Sequence, residues 1–493
     1  MYSAGSGLSF FERKRMKILM ILLILALCLS AAALVRTLTS PPRKASYRPS
    51  EKDDDRALAY ARKLSAMVRY DTTSVRDTDQ RDLFLGYHRV LEDQFPLVHR
   101  YLEKTEIGGN LLYCWKGKSS EKPIVLMGHQ DVVPASGDWD RDPFSGDIED
   151  GSVWGRGAVD TKCSVMAFMQ AAEELLSEGA IPPMDIYFSS SCTEEWGGPG
   201  CCSLVDELKR RGVRPFLVLD EGGGIYTDPM FGIRGNFAMV GVFEKGKANV
   251  RFTAEGRGGH PATPVKNSPI ARLSAFVTDV EKRQPFRCRL EPSVRAMLET
   301  LAPYGSFPIR LVLGNLWLFS PLVTWGAPLV SGQAAAMLRS TISFTMASGS
   351  QACNVMPEKA SVSANMRFIP HQGMEESLEI IRKRAARFGL KTEVIEGSDF
   401  TPPVDIRGDA FRLVADTVRE TFPDCPVSPF VLTAATDAVF YQEICDSCIR
   451  FAPVVYSPEE KRGIHGINEH LHYNSLPGAV DFFKNLIMAG SRE

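Results

Sequence analysis

The stretch that decides the fold is PIVLMGHQD, residues 123–131, in which an uninterrupted apolar run leads into polar residues. Two later runs have the same character, MDIYFS at 184–189 and RPFLVL at 214–219. Continuous apolar runs of this length are typical of strands that are covered on both faces. Because a helical pattern at 164–176 lies between the first two runs, we predict an α/β fold with a mostly parallel central sheet.

Side chains that can bind a metal follow each of these strands. They are His129 and Asp131 after the first, Glu194 and Glu195 after the second, Asp220 after the third, and Asp160 in the glycine-rich loop that precedes the helix. Open α/β sheets place their sites at the carboxyl ends of strands. We therefore expect these side chains to converge on one crevice.

Imidazole and carboxylate groups of this kind suit zinc. Together with one later histidine they are too many for a single tetrahedral ion, whereas a bridging carboxylate lets them hold two ions about 3.5 to 4 Å apart. Two ions can activate water and polarise a carbonyl, which is what attack on an amide requires. Of the adjacent Glu194 and Glu195, one can coordinate while the other serves as general base.

The pattern of the sequence changes after residue 246. Strand, helix, a long apolar insertion, strand, helix and strand follow one another, which predicts a smaller α+β domain at 247–399. The α/β pattern then returns from residue 400. We therefore predict a discontinuous catalytic domain, made of 56–246 and 400–493, with the smaller domain inserted in it.

The N-terminal segment predicts export of the catalytic part. Residues 1–17 form a basic tail that is expected on the cytoplasmic side, and 18–35 is an uncharged apolar run. As a helix this run would reach about 27 Å, slightly less than a bilayer core of about 30 Å. It is either a signal anchor or a cleaved signal peptide, so the protein is either membrane-anchored or secreted. The polar, proline-containing segment 36–55 is expected to be a stalk.

Composition and motifs exclude several other classes. The net charge is -2, with acids and bases mixed along the chain, so no nucleic-acid partner is expected. The HExxH zinc signature and the GxSxG nucleophile elbow are absent. The 11 cysteines show no paired CxxC spacing of a structural zinc site, and their pairing is not assigned.

Seven segments in order are HQDVVP, GRGAVDTK, CTEEWGG, LDEGGG, GGHPAT, CNVMP and IHGINE. With them the chain resembles the di-zinc aminoacylase and carboxypeptidase S family of metallopeptidases over about residues 55–493. Within that family it is most similar to the secreted N-fatty-acyl-amino-acid synthase/hydrolase branch. The resemblance implies a ferredoxin-like lid and dimerisation domain, two zinc ions per subunit, and a homodimer.

The resemblance also implies roles for individual residues. His129, Asp160 and Asp220 are implied to bind one zinc ion, and Asp160, Glu195 and His465 the other. Glu194 is the implied general base, and Asp131 is implied to orient the imidazole of His129. In the inserted domain, His260 is implied to stabilise the tetrahedral intermediate, often across a dimer interface. Asn354 and Arg367 match substrate-binding positions, where the arginine would hold a free carboxylate.

The predicted function is hydrolysis of N-acyl amino acids, with N-fatty-acyl amino acids as the expected substrates, and condensation where the products are abundant. A carboxypeptidase or dipeptidase of carboxypeptidase S type is the alternative, because it would share every catalytic residue. A non-catalytic lipid or amino-acid binding protein is disfavoured, since a binder needs no general base. The apolar insertion at 306–345 is expected to line an acyl channel, with Trp317 in its wall. The alternative is that it packs as core against the small domain.

Overall fold

The computed structural model describes residues 10–51 and 54–489. The helices are α1 Phe10–Thr39, α2 Asp55–Val68, α3 Arg81–Gln94, α4 Pro96–Tyr101, α5 Lys162–Ser177, α6 Gly200–Arg210, α7 Pro269–Lys282, α8 Pro292–Leu301, α9 Phe307–Leu313, α10 Leu316–Val330, α11 Gly332–Leu338, α12 Met374–Ala386, α13 Asp409–Thr421, α14 Ala438–Tyr441, α15 Pro458–Gly463 and α16 Leu476–Ile487.

The strands follow the same chain order. They are β1 Glu103–Ile107, β2 Asn110–Trp115, β3 Ser119–Met127, β4 Ile148–Glu149, β5 Ser152–Trp154, β6 Met184–Ser190, β7 Leu217–Thr227, β8 Asn236–Glu244, β9 Gly246–Glu255, β10 Thr341–Ser348, β11 Lys359–Phe368, β12 Lys391–Ser398, β13 Val427–Leu432, β14 Cys448–Tyr456 and β15 His470–His472.

The large sheet has eight strands in the order β1-β2-β6-β3-β7-β14-β8-β13. Its centre, β6-β3-β7-β14, is parallel, whereas β1 and β2 add to one edge in antiparallel fashion. Strands before and after the small domain share this sheet, so the catalytic fold is discontinuous. The three predicted apolar runs lie in its parallel centre, where both faces are buried.

Helices cover both faces of this sheet. The apolar sides of α5, α13 and α16 pack in the main core on one face, and α6 and α14 pack on the other. α5 is buried along nearly its whole length, including Val165, Phe168 and Met169. Fully burying a side chain of this size contributes about 1.5–3 kcal/mol. The strand ends are therefore carried by a rigid, densely packed scaffold.

The small sheet has four antiparallel strands in the order β10-β11-β9-β12. α7 and α12 pack on it around a separate apolar core. The chain order strand, helix, two strands, helix, strand is that of a ferredoxin-like unit, as predicted. α7 begins where Ser268 caps the backbone of Ala271 and Pro269 occupies the first turn.

The apolar insertion does not pack as core against the small domain, which was one of the two alternatives for it. α8 to α11 pack against the core of the large domain, through residues that include Val294, Leu301, Leu313 and Leu338. α9 and α10 meet at a bend of 103°. The insertion thus belongs physically to the catalytic domain, although it lies within the 247–399 segment.

The N-terminal helix is longer than the predicted run, because α1 continues to Thr39. It is long and apolar enough to cross a membrane. The segment after it is not a free stalk. Ala45 is buried, the ring of Tyr47 packs edge-on against Phe422 at 5.3 Å, and the carbonyl of Tyr47 accepts a hydrogen bond from Asn236. Most of the basic tail, residues 1–9, lies outside the described residues.

Candidate metal centre and catalytic crevice

The first histidine of the site is held by the end of β3. His129 is buried, and its Nδ1 lies 2.8 Å from the backbone carbonyl of Asp131, which leaves Nε2 facing the crevice. A Cβ at Gly128 would come within 3.0 Å of Val165 on α5. The glycine therefore lets strand and helix approach closely just where His129 is presented.

The loop that carries Asp160 is fixed by a buried ion pair. Glu469 accepts hydrogen bonds from the guanidinium of Arg156 at 2.6 Å and from the backbone N–H groups of Val159 at 2.8 Å and Asp160 at 3.1 Å. Arg156 and Glu469 are both buried, and each oxygen of the Glu469 carboxylate accepts a hydrogen bond. Because Glu469 follows His465 by four residues, the pair ties the Asp160 loop to the segment that supplies the second histidine.

Asp160 lies between the two histidines. Its Oδ1 is 3.0 Å from His129 Nε2, and its Oδ2 is 3.2 Å from His465 Nε2. His465 also lies 3.0 Å from Glu195 Oε2. Each carboxylate oxygen of Asp160 thus faces a different imidazole, which is the arrangement a bridging ligand requires.

His465 occupies an unusual backbone conformation, with φ at 56°. The left-handed region is uncommon for residues other than glycine, and such conformations concentrate at functional sites. This conformation brings the imidazole of His465 into contact with the carboxylates of Asp160 and Glu195, while about half of the side chain stays exposed.

One predicted ligand lies elsewhere. The carboxylate of Asp220 accepts the backbone N–H of Ala438 at 2.9 Å, whereas Glu221 Oε1 lies 3.7 Å from His129 Nε2. His129, Glu194 and Glu221 form a group whose ligand atoms are mutually within 4.8 Å, as do His129, Asp160 and Glu195. The structure therefore brings Glu221, not Asp220, to the cluster.

The physical reason is that β7 does not end at residue 219 but continues to Thr227. Asp220 and Glu221 lie inside the strand, where successive side chains point to opposite faces. Only one of the two can reach the crevice. The side of β7 that faces His129 belongs to Glu221.

Asp131 supports the site from behind. Its carboxylate is 3.5 Å from His129 Nδ1 and accepts the backbone N–H groups of Glu194 at 3.2 Å and Glu195 at 3.1 Å. It also accepts the hydroxyl of Ser74 at 2.7 Å. Asp131 thus positions the two glutamates as well as the histidine for which it was predicted.

The titration behaviour reflects this crowding. Burial raises the pKa of Glu194 and of Glu221 well above the usual range of a glutamate. Burial opposes protonation of His129, yet its contacts with Asp131 and Asp160 raise the pKa well above the usual value. Hydrogen bonds with Asp160 and Glu195 raise the pKa of His465 to about 10. Carboxylates are thus packed more closely than they can all remain charged without a compensating cation.

The crevice around this cluster encloses about 760 Å³ and contains cationic side chains. Arg367, predicted as a substrate-binding residue, lies in its wall, and burial lowers the pKa of its guanidinium. Lys245 and Lys461 also line it and were not predicted. Burial lowers the pKa of Lys245 to about 7. In the sequence, Lys245 is marked only by its position directly after a buried strand. Lys461 is marked only by its position in a helix beside the IHGINE segment.

Asp437 is a further acid of the crevice that sequence reasoning missed. Burial raises its pKa to about 7, and it accepts a hydrogen bond from Ser191. It lies five residues after β13 and belongs to none of the seven segments, so no motif singles it out.

Two predicted residues are not in the crevice. His260 and Asn354 are exposed on the small domain. A β-bridge between Gly259 and Met356 brings their two loops together. His260 Nδ1 accepts the backbone N–H of Ala262 at 3.1 Å. The two residues thus share one surface of the small domain, apart from the metal-binding cluster.

Comparison with known proteins identifies the class. The profile described as peptidase family M20/M25/M40 matches residues 125–489, and the chain belongs to this family. The family resemblance and the predicted fold are thereby confirmed. The chain is an enzyme of the metal-dependent amidohydrolase class.

Individual relatives carry two kinds of name. A carboxypeptidase S-like protein of Dictyostelium discoideum is 31% identical, over 92% of this chain and 90% of its own. An N-fatty-acyl-amino acid synthase/hydrolase PM20D1.1 of Danio rerio is 32% identical, over 85% of this chain and 83% of its own. The human N-fatty-acyl-amino acid synthase/hydrolase PM20D1 is 30% identical, over 90% of each chain.

Solved structures share the fold. Human carnosine dipeptidase 1 superposes with a TM-score of 0.62 at 16% identity, over 88% of this chain and 96% of its own. A metallo-carboxypeptidase of Sulfolobus solfataricus reaches 0.63 at 15% identity, over 87% of this chain and 99% of its own.

Proposed function

We propose that this enzyme hydrolyses N-acyl amino acids with long acyl chains, and that it holds two zinc ions in the crevice. The observation that carries the substrate class is an apolar cavity that adjoins the crevice. Where fatty acid and amino acid are abundant, the same site catalyses their condensation, because a catalyst accelerates both directions.

The residues of the cluster suit two ions. His129, Asp160, Glu194, Glu195, Glu221 and His465 provide four carboxylates and two imidazoles within a few ångströms. The two oxygens of Asp160 face different histidines, so Asp160 could be shared between two ions. Glu195 and His465 would hold one ion with it, and His129 and Glu221 the other. Imidazole and carboxylate donors favour zinc over magnesium or calcium, which prefer oxygen alone.

Glu194 is the proton carrier. When bound, zinc ions acidify water and polarise a carbonyl in such sites. Glu194 lies beside His129 and Glu221, and the family resemblance implies that it is the general base. Burial raises its pKa, so it can accept a proton and later release it. It takes a proton from the attacking water and delivers it to the leaving nitrogen of the amide. Asp131, through the backbone N–H of Glu194, keeps the carboxylate in position.

The carboxylate of the amino-acid part requires a cation. Arg367 and Lys245 lie together in the crevice, close enough that Arg367 contributes to lowering the pKa of Lys245. A substrate carboxylate bound between the two side chains would favour the charged form of Lys245. It would also form an ion pair with the guanidinium of Arg367. We assign these two residues to recognition of the amino-acid carboxylate.

The apolar cavity provides room for the acyl chain. It is lined mostly by α8, α10 and α11, together with the β7–β8 connection. Met297, Leu301, Val323 and Ala327 are among its walls. The cavity shares four lining residues with the crevice, namely Tyr226, Gln333, Phe430 and Lys461. A substrate with its amide at the cluster can therefore extend its chain past Tyr226 into an apolar space.

The cavity encloses about 130 Å³. An apolar cavity of about 150 Å³ in another protein holds one benzene molecule, so roughly six carbons fit without rearrangement. Each buried methylene contributes about 0.8 kcal/mol. The preference should thus rise with chain length and then level off. A carboxypeptidase S-type peptidase, the alternative, would place one apolar amino-acid side chain there, so its rate would not depend on acyl-chain length.

The test is a series of N-acyl derivatives of one amino acid, from acetyl to palmitoyl, offered below their micellar concentrations with several dipeptides alongside. We expect kcat/KM to rise on the order of a hundredfold or more over the first several added carbons. Equal rates for acetyl and long-chain substrates, or faster cleavage of dipeptides, would favour the peptidase. Metal content of the purified enzyme, measured by mass spectrometry, tests the two zinc ions independently.

A further inference from the structure

α10 separates two apolar environments. Its inner face, with Leu316, Val323 and Ala327, packs on the core or lines the cavity. Its outer face consists of Leu322, Trp325 and Leu329, whose exposed fractions are 51%, 71% and 73%. From Leu316 to Val330 the helix contains no charged residue. A large apolar face turned outward on a soluble surface marks a binding site.

The position of α1 indicates what this face contacts. Arg310 on α9 donates to the carbonyl of Thr37 at 2.8 Å. The side-chain amide of Asn315, at the bend between α9 and α10, donates to Thr37 Oγ1 at 3.0 Å and to the carbonyl of Ala33 at 3.3 Å. Ala33, Thr37 and Asn315 are all buried. The last turns of α1 are thus docked on the point where α10 begins.

The rest of α1 is apolar and exposed, and its uncharged run includes Leu22, Leu23 and Leu27. The apolar helices α1 and α10 therefore both extend from one buried, hydrogen-bonded junction. If residues up to Ala33 were removed, the buried hydroxyl of Thr37 would lose its acceptor, the carbonyl of Ala33, at a cost typical of an unsatisfied buried group. The amide of Asn315 would keep its bonds to Thr37 Oγ1 and to the carbonyl of Leu311. The junction favours retention of α1.

We propose that the outer face of α10 lies in the surface layer of the bilayer that α1 crosses, so that lipid chains reach the cavity directly from the membrane. At 15 residues α10 is about 22 Å long, too short to span but suited to lying in the interface. Tryptophan is the side chain that membrane interfaces favour. This inference rests on the proposed function for the nature of the cargo, but not for the membrane contact itself.

The contact can be measured without any substrate. The full chain is reconstituted in vesicles that contain lipids brominated near the headgroup end of the acyl chain, which quench nearby tryptophan. α1 contains no tryptophan, so quenching reports the catalytic part. We expect quenching of the wild type and loss of most of it in Trp325→Phe, because Trp325 is the tryptophan of the outer face.

The matched control is Trp139→Phe, which removes a tryptophan from a surface loop of the catalytic domain. It should leave unchanged the amount of fluorescence that the brominated lipid quenches. An unquenched wild type, or equal quenching in wild type and Trp325→Phe, overturns the proposal. If the membrane contact is found but no acyl amino acid is hydrolysed, the proposed function fails while this inference stands.

A second variant tests delivery. Leu329→Asp places a charge on the outer face, and Ile181→Asp does the same at an exposed apolar residue between α5 and β6. For a long-chain substrate carried in vesicles, we expect Leu329→Asp to lower kcat/KM on the order of tenfold, with Ile181→Asp unchanged. Hydrolysis of a soluble acetyl substrate should be equal in both variants, which shows that both are folded. Equal rates on the vesicle-borne substrate contradict delivery from the membrane.

Discussion

The catalytic crevice and the apolar cavity lie side by side but are held in different ways. In the crevice, the functional side chains come from several loops and from β7, and they are fixed by directed contacts, such as those of Glu469 and Asp131. The cavity is formed by packed helices, and its walls Met297, Val323 and Ala327 contribute shape alone. Directed contacts tolerate little change, because a buried carboxylate without its partner is strongly unfavourable. Packed walls respond gradually to changes in volume.

The largest effect should come from separating the roles of the paired glutamates. Glu194→Gln keeps the shape of the side chain but removes its proton transfer, so we expect kcat to fall at least a thousandfold with metal content unchanged. Glu195→Ala should lower both activity and metal content, since Glu195 contacts His465. Activity assays and metal analysis on the same samples test this. Equal metal loss in both variants would contradict the division of roles.

The next prediction distinguishes Glu221 from Asp220. Glu221→Gln should lose about one metal ion per subunit and most activity, because Glu221 is the acid beside His129. Asp220→Asn keeps the hydrogen-bonding shape at Ala438 and should retain both ions. Mass spectrometry of metal content measures the difference. Greater metal loss in Asp220→Asn than in Glu221→Gln would return the ligand role to Asp220.

This pair also shows where sequence reasoning is reliable. His129, Asp160, Glu195 and His465 are predicted from strand ends and short segments, and the structure brings all four together. Asp220 and Glu221 are adjacent, and only the true end of β7 decides which one faces the crevice. Asp437 and Lys245 belong to none of the seven segments, because tertiary contacts bring them to the crevice.

The apolar insertion shows the same limit. Its composition predicts an apolar lining, and part of it does line the cavity. Trp317, however, is 47% exposed and is not in the cavity wall, and its indole donates to Asn315. In a helix that is apolar all round, periodicity cannot tell the inner face from the outer one.

A third prediction concerns the surface of the small domain that neither crevice nor cavity includes. His260 and Asn354 lie there together, so we expect them to act on the crevice of a second subunit. His260→Ala should lower kcat by roughly a hundredfold or more, the effect of losing one oxyanion donor. Mixing it with Glu194→Gln subunits should restore part of the activity. Failure of verified mixed dimers to recover activity would contradict action between subunits.

A smaller effect is expected in the cavity. Ala327→Phe fills space behind Tyr226, so we expect kcat/KM for long-chain acyl amino acids to fall roughly tenfold to hundredfold while the acetyl substrate is unaffected. Trp317→Ala is the control, since it truncates a side chain of the same helix outside the wall. With monomeric substrates in solution it should leave the chain-length profile intact. An unchanged profile in Ala327→Phe would mean that the acyl chain lies elsewhere.

The smallest expected effect concerns His88, which is buried behind the crevice. Its Nε2 lies 2.9 Å from Gln130 Oε1 and 3.1 Å from the carbonyl of Gly109, so it carries the proton of a neutral ring. Nδ1 has no hydrogen-bond partner among the residues that the structure describes. Burial lowers the pKa of His88 to about 4. Unlike the histidines of the crevice, it has no hydrogen bond to a carboxylate among the residues that the structure describes.

The sign of the pH dependence follows from this difference. Between the unfolded pKa of about 6.5 and the folded value of about 4, the unfolded chain binds a proton that the folded protein does not. The contribution to stability is thus complete above pH 6.5 and is lost as the pH falls toward 4. We expect the wild type to lose about 2 kcal/mol more than His88→Gln between pH 7.5 and 5, measured by urea unfolding. If the wild type and His88→Gln lose stability in parallel as the pH falls, the folded protein does not hold His88 in its neutral form. The charge of a protonated His88 would then be compensated in the fold, as the charges of the histidines in the crevice are.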